Sequence, residues 1–160
     1  RCGMNIEPSS LMQQSPDRTK ALAGRILECN RHTAQYGLDL SPGQAMALAE
    51  TRENALRRSG RIEFGEGITE KLIMTFCDSP YISQDDYEAT LHELTLIFYD
   101  MKNETWDAVS DDELLGSMRE AFDVYCHGSA DLLAGSVMPQ LAKHIHRGGD
   151  IKDFIYREER

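Results

Sequence analysis

The chain has 160 residues, of which 41% are hydrophobic and 28% are charged, so its size and composition are those of one globular domain. Its formal net charge of −10 argues against binding to nucleic acid, and no stretch has the ~18 consecutive apolar residues of a membrane span. The N-terminal residues lack the basic-then-apolar order of a secretory signal, so we expect a cytoplasmic protein without membrane contacts.

Helical spacing of apolar residues accounts for most of the chain when it is taken in order. Residues 1–14 predict a flexible N-terminal arm, in which residues 1–3 precede Met4 and are interpreted as a remnant of cloning. Residues 15–156 are predicted to form a single domain, followed by a charged tail over residues 157–160. The helices of this domain are predicted over residues 15–37, 41–60, 68–78, 83–106, 110–128 and 129–148, with a short last helix near 150–155.

The longest predicted helix, over residues 83–106, is expected to form the centre of the domain. Ser83 and Asp86 are spaced as a capping pair at its start. Steps of four, three, four and three place one apolar face along it, formed by Tyr87, Leu91, Leu94, Phe98 and Met101. The sequence therefore predicts an interior helix on which the other segments pack.

Two interruptions complete the predicted fold. Residues 61–67, RIEFGEG, contain two glycines and alternate apolar with charged residues, which predicts a short irregular loop. Gly135-Ser136 and Pro139 are expected to break or kink the sixth helix. The predicted fold class is all-α: a single-domain antiparallel helical bundle of six or seven helices with one irregular loop containing glycine.

The negative charge is concentrated in one part of the sequence. Residues 83–123 hold twelve Asp or Glu and two Lys or Arg, and the rest of the chain is balanced. Such a run is usually a solvated face, and that interpretation is favoured here. The alternative is a surface that binds a basic protein partner or mediates self-association.

The sequence offers no recognised catalytic or metal-binding pattern. The Glu-x-x-His and His-Glu-x-x-His spacings of metal sites are missing, and so are GxSxG and the glycine-rich phosphate loops. We therefore predict no catalytic residue, no metal and no cofactor. The cysteines form no CxxC pair and are expected to be reduced, with Cys29 and Cys126 buried on apolar helix faces.

Charged residues around the irregular loop are the best candidate for a ligand site. Arginine can clamp an anion with two parallel hydrogen bonds, and binding groups often lie where a helix meets a loop. The candidate ligand-binding residues are Arg52, Glu53, Arg57, Arg61, Glu63 and Asp78. The favoured interpretation is internal, because Arg52 lies on an apolar helix face and needs an acidic partner such as Glu63, Glu53 or Asp78.

Three segments resemble a known family. They are ETRENALRRSGRIEFGEG (50–67), FCDSPYISQDDY (76–87) and SDDELL (110–115). They are similar to segments of a bacterial family of small helical proteins known only as a domain of unknown function, and the resemblance covers residues from about 26 to 145. It implies a bacterial origin and a helical fold, and it implies no activity, cofactor or catalytic residue.

Three functions remain open from the sequence. The first is a cytoplasmic interaction or adaptor domain that presents the acidic helices over 83–123 to a basic partner or to itself. The second is a small module that binds an anionic ligand with the Arg52–Glu63 region. The third is a helical metalloenzyme. An enzyme is the less favoured class.

Overall fold

The computed structural model describes the backbone of residues 8–63 and 67–157, and the side chains of residues 17–63 and 67–157. Within these ranges every regular element is helical. The helices are α1 (Pro8–Glu28), α2 (Pro42–Arg58), α3 (Ile68–Phe76), α4 (Tyr87–Glu104), α5 (Asp111–Glu120, continued by the π-helical turn Ala121–Tyr125) and α6 (Ala130–Leu132, Leu133–Val137 and Met138–His146 in one run). The predicted all-α, single-domain helical bundle is confirmed.

The first helix begins earlier than the sequence predicts. Its backbone is helical from Pro8, whereas the spacing of apolar residues predicts a start at Ser15-Pro16. Proline is favourable at the first helical position, so Pro8 supplies the same signal upstream. The backbone of residues 8–14, predicted as part of the arm, is therefore helical, and residues 1–7 lie outside the described residues.

The first helical segment ends at Gly37, as predicted, although α1 itself ends at Glu28. After α1 two short helical turns, Asn30–Thr33 and Ala34–Tyr36, carry the chain to this glycine. Gly37 has a φ of +77°, the left-handed conformation in which glycine commonly ends a helix.

The α4 helix is the centre of the bundle, as predicted. All five residues of its predicted apolar face are buried, and they are Tyr87, Leu91, Leu94, Phe98 and Met101. The helix contacts α2, α3 and α6, while α1 packs mainly on α2. Ala45 and Ala49 of α2 are buried, and these small side chains let a neighbouring helix approach closely.

Capping fixes where the helices start. Ser41 and Gln44 form the reciprocal pair of a capping box at α2. Ser83 and Asp86 form another, although the segment between them is a 3₁₀ turn, Gln84–Asp86, that leads into α4. The Ser110 hydroxyl accepts from the backbone N–H of Glu113 at the start of α5.

The predicted distortion of α6 is a π-bulge. Pro139 has no N–H, and its ring would crowd the carbonyl of Gly135 in a regular helix. The preceding segment Leu133–Val137 is π-helical, and Met138 N donates to Leu133 O, five residues earlier. The wider turn accommodates the proline while α6 continues to His146.

The chain after α6 is less helical than predicted. A single 3₁₀ turn, Ile151–Asp153, lies where a short last helix is expected, and residues 154–157 have no regular secondary structure. Gln140 of α6 bonds both backbone groups of Arg157, which holds this segment along the helix. Among the described helices, none is both long and apolar enough to cross a membrane.

Candidate functional site

The arginine on the apolar face of α2 has the acidic partner that it requires. Arg52 Nη2 donates to Glu63 Oε1 at 3.0 Å, and Glu53 Oε1 lies 3.9 Å from Arg52 Nη1. Tyr99 of α4 also donates its hydroxyl to Glu63 Oε1, at 2.8 Å. The contact between Arg52 and Glu63 predicted from the sequence is therefore present, and Tyr99 is a partner that the sequence did not indicate.

The electrostatics of this cluster agree with an internal role. Burial, followed by the charge and hydrogen bond of Glu63, raises the pKa of Tyr99 far above its ordinary value, so Tyr99 is a neutral donor. Burial alone would lower the pKa of Arg52, but Tyr99 and Glu63 together raise it. The cluster joins the irregular loop to α2 and α4. That it also binds an anionic ligand stays a prediction.

Arg61 belongs to a neighbouring network at the end of α4. Its guanidinium makes two parallel hydrogen bonds to Asp107, at 2.6 and 3.1 Å, and a third to Asn103 at 3.0 Å. Lys102 is almost completely buried, and its Nζ donates to Val109 O at 2.7 Å. This network fixes the loop between α4 and α5.

The remaining predicted ligand-binding residues lie elsewhere. Arg57 is exposed on α2. Asp78 pairs with Arg119 of α5, which also bonds Asp123 at 2.6 Å, so Asp78 is not a partner of Arg52. Asp123 in turn accepts from Ser79 at 2.7 Å. The structure thus divides the predicted set among separate ion-pair networks.

A carboxylate, an imidazole and a hydroxyl form a chain between α2 and α4. His92 Nε2 lies 3.1 Å from Glu88 Oε2, and His92 Nδ1 lies 2.7 Å from Thr51 Oγ1. This is the order of groups in a hydrolase triad. However, Thr51 and His92 lie inside helices, where the backbone N–H groups are already bonded and cannot serve an oxyanion. We interpret the chain as a bridge between the two helices.

Metal ligands are not gathered in the described part of the chain. No three His, Cys, Asp or Glu residues come close enough there to hold an ion. The described cysteines are free and buried, as expected for Cys29 and Cys126. Burial raises the pKa of each of these two thiols to about 11, so neither is an activated nucleophile.

The acidic segment is partly neutralised inside the fold. Several of its carboxylates form ion pairs: Asp107 with Arg61 and Asp112 with Lys71, both from outside the segment, and Asp111 with Lys102 and Asp123 with Arg119, both within it. Three exposed carboxylates share one face of α4, namely Glu93, Asp100 and Glu104, and we call them the acidic edge. Among these, Asp100 lies 3.9 Å from Arg58 of α2.

Asp100 and Glu104 of the acidic edge border a groove of about 400 Å³ between α4 and α6. Six apolar residues line it: Ile97 and Met101 from α4, and Ala134, Met138, Pro139 and Ala142 from α6. We call this site the α4/α6 groove. Its volume lies within the range of sites that bind small molecules.

The two sides of the α4/α6 groove differ in chemistry. The carboxylates of Asp100 and Glu104 line it on the α4 side, and the Lys143 ammonium and the His146 imidazole line it on the α6 side. His146 Nε2 lies 2.6 Å from Glu104 O. Because a carbonyl only accepts, this nitrogen carries the proton. The hydrogen bond closes one end of the groove.

The single tryptophan lies beside that closed end in an unusual backbone conformation. Trp106 N donates to Asn103 O, and Asp107 N donates to Lys102 O, which is the Schellman pattern at the end of a helix. Trp106 occupies the left-handed position of this motif, where glycine is usual, with a φ of +52°. A left-handed residue with a Cβ costs about 1–2 kcal/mol.

The strained backbone presents the indole to solvent. Trp106 is 76% exposed, and its ring stacks on the His146 imidazole with centroids 4.6 Å apart and planes at 22°. The ion pair between Arg61 and Asp107 holds the next residue, which is also left-handed, with a φ of +58°. Strain of this kind is often found at binding sites.

Sequence reasoning missed the groove and its tryptophan. The sequence places Trp106 at a helix end and Asp100 and Glu104 among many acids. The only local signal is a large aromatic residue where a glycine or asparagine would end the helix.

Comparison with known proteins identifies a family but no activity. The profile of a family of unknown function, DUF6323, matches residues 25–151. This range includes all three segments on which the family resemblance depends. Neither the search of curated proteins nor the search of solved structures found a match. Because the profile covers most of the chain, the protein belongs to DUF6323, a family of unknown function.

Proposed function

We propose that this protein is an interaction domain that binds an amphipathic helix of a partner protein in the α4/α6 groove. The observation that carries the proposal is an apolar groove bordered by Asp100 and Glu104 on one side and by Lys143 on the other. Amphipathic helices bind such grooves with their apolar face. The partner helix would carry basic residues on the flank that faces the acidic edge.

The length of the groove fits this class of partner. The α4 residues that line it extend from Ile97 to Glu104, a separation of seven positions or about 10 Å along a helix. Apolar side chains at positions i, i+4 and i+7 of a bound helix span the same distance. Two helical turns of partner would therefore place three apolar side chains on the groove floor.

The charges would define orientation and partner choice more than affinity. Surface ion pairs contribute about 0.2–1 kcal/mol each, whereas burial of apolar area contributes most of the binding free energy. Opposite charges on the two sides favour one rotation of the partner helix about its axis and disfavour helices of the wrong pattern. We further propose a bacterial, cytoplasmic setting, supported by the resemblance and by the free thiols of Cys29, Cys77 and Cys126.

The test uses a synthetic helix as the probe. An 18-residue peptide with leucine along one face and lysine on one flank is titrated into the protein, and the dissociation constant is measured by calorimetry. A second peptide carries glutamate instead of lysine. We expect the lysine peptide to bind more tightly, and its affinity to fall as salt is raised from 50 to 300 mM.

Variants of the groove complete the test. Ala134→Phe fills the groove at an exposed position and should abolish binding. Asp100→Asn with Glu104→Gln should weaken the lysine peptide about three- to tenfold, whereas the matched control, Glu28→Gln with Glu50→Gln, should leave it unchanged. Binding that survives Ala134→Phe, or no binding of either peptide at millimolar concentration, would refute the proposal.

A further inference from the structure

We infer that the exposed face of the Trp106 indole binds an arginine in the first turn of the partner helix, so that this helix runs antiparallel to α4 and α6. The inference rests on the proposed function, because it concerns the direction of the helix bound in the α4/α6 groove. It adds a specific contact that neither the groove nor the acidic edge supplies.

The indole is held as a preformed platform. One face lies against the His146 imidazole at 4.6 Å, and that imidazole is fixed by its hydrogen bond to Glu104 O. With 76% of the side chain exposed, the opposite face is open to solvent. The Schellman turn and the contact of Asp107 with Arg61 fix the backbone, so little conformational entropy is lost when a ligand stacks on the ring.

A cation is the ligand that this platform fits. Aromatic faces attract guanidinium groups, and tryptophan does so most strongly. Two carboxylates lie close to Trp106 in the sequence, Glu104 two residues before it and Asp107 one residue after it. Arg61 pairs with Asp107, and His146 covers the rear of the ring. Arginine is favoured over lysine because its planar group stacks on the indole as well as carrying charge.

The direction of the bound helix follows from the helix termini. The hydrogen bond from His146 to Glu104 O shows that α4 and α6 both end at the Trp106 end of the groove. Helix C-termini carry partial negative charge, which favours the positive N-terminal end of a bound helix at the same place. Side chains on a helix point toward its N-terminus, so an arginine in the first turn extends beyond the helix end and reaches the indole.

Two peptides of identical composition test the inference. Both carry the leucine face and lysine flank of the probe described above, and a single arginine lies at position 2 in one and at position 17 in the other. We expect the position-2 peptide to bind about three- to tenfold more tightly. Trp106 is the only tryptophan of the chain, so its fluorescence should change more with the position-2 peptide than with the other.

Substitution of the indole gives the second measurement. Trp106→Gly keeps the left-handed turn and removes the ring, and it should weaken the position-2 peptide about three- to tenfold while leaving the position-17 peptide unchanged. Met74→Ala, which changes an exposed apolar residue of α3, should preserve the difference. Equal affinities for the wild-type protein, or tighter binding of the position-17 peptide, would overturn this inference and leave the proposed function standing. Failure of both peptides to bind would overturn both.

Discussion

Replacing Trp106 by glycine and, separately, by alanine measures the backbone strain at the end of α4. Both variants lose the stacking on His146, which contributes about 0.5–1.5 kcal/mol. Only alanine keeps a Cβ at a φ of +52°, at a cost of about 1–2 kcal/mol. The greater freedom of glycine in the unfolded chain offsets part of this difference. We expect the glycine variant to exceed the alanine variant in free energy of unfolding by about 1 kcal/mol.

The difference in free energy of unfolding is measured by urea denaturation. Unfolding is followed by far-ultraviolet circular dichroism, because neither variant keeps the tryptophan whose fluorescence would otherwise be used. In a domain of this size, 1 kcal/mol corresponds to about 2–4 °C in Tm. The matched control compares Glu93→Gly with Glu93→Ala, because Glu93 is exposed to solvent and lies in the middle of α4, away from its ends. There glycine should be the less stable by about 1 kcal/mol, so the sign reverses. A Trp106→Gly variant no more stable than Trp106→Ala would refute the left-handed assignment and the strain argument.

Three further predictions concern the charged networks and the thiols. Glu63→Gln should lower the free energy of unfolding by about 2 kcal/mol in urea titrations, because the half-buried Arg52 loses its counterion. A change below about 0.5 kcal/mol would contradict the internal role. The arginine partner of Asp107 lowers the pKa of that carboxyl, so the pair stabilises the fold above pH ~4 and loses its effect at lower pH. The difference in free energy of unfolding between wild type and Asp107→Asn should therefore become smaller from pH 6 to pH 3. A difference that stays constant would show that the ionisation of Asp107 does not contribute to stability. Since the pKa values of Cys29 and Cys126 are raised to about 11, a disulfide reagent at pH 8 should label both thiols far more slowly in native than in unfolded protein, as followed by peptide mapping; equal rates would contradict their burial.

The helices were predictable because their signals are local. The apolar face of α4, the capping pair at Ser41 and Gln44, and the terminator Gly37 depend on residues three or four positions apart. The start of α1 was misplaced because two prolines offered the same signal and nothing local chooses between them. The last predicted helix is a single turn, since its few apolar residues reach the core without completing a helix.

The candidate site was only partly predictable. The sequence indicated that Arg52 needs an acidic partner, and Glu63 provides it. It did not indicate Tyr99, because a tyrosine on a helix face gives no sign of which loop residue its hydroxyl reaches. The sequence predicts Asp78 beside Arg52 because Asp78 ends the next helix of the chain, but its partner in the structure is Arg119.

The sequence alone determined that this protein is an all-helical bundle built around α4. Apolar spacing and capping residues stabilise each helix through residues of the same segment, so they can be recognised in the sequence. The tertiary structure decided where the exposed chemistry lies. The α4/α6 groove joins residues 97–104 to residues 134–146, and the strained turn at Trp106 depends on Arg61, far away in the chain. Such contacts depend on how whole helices pack, and no local pattern encodes that packing.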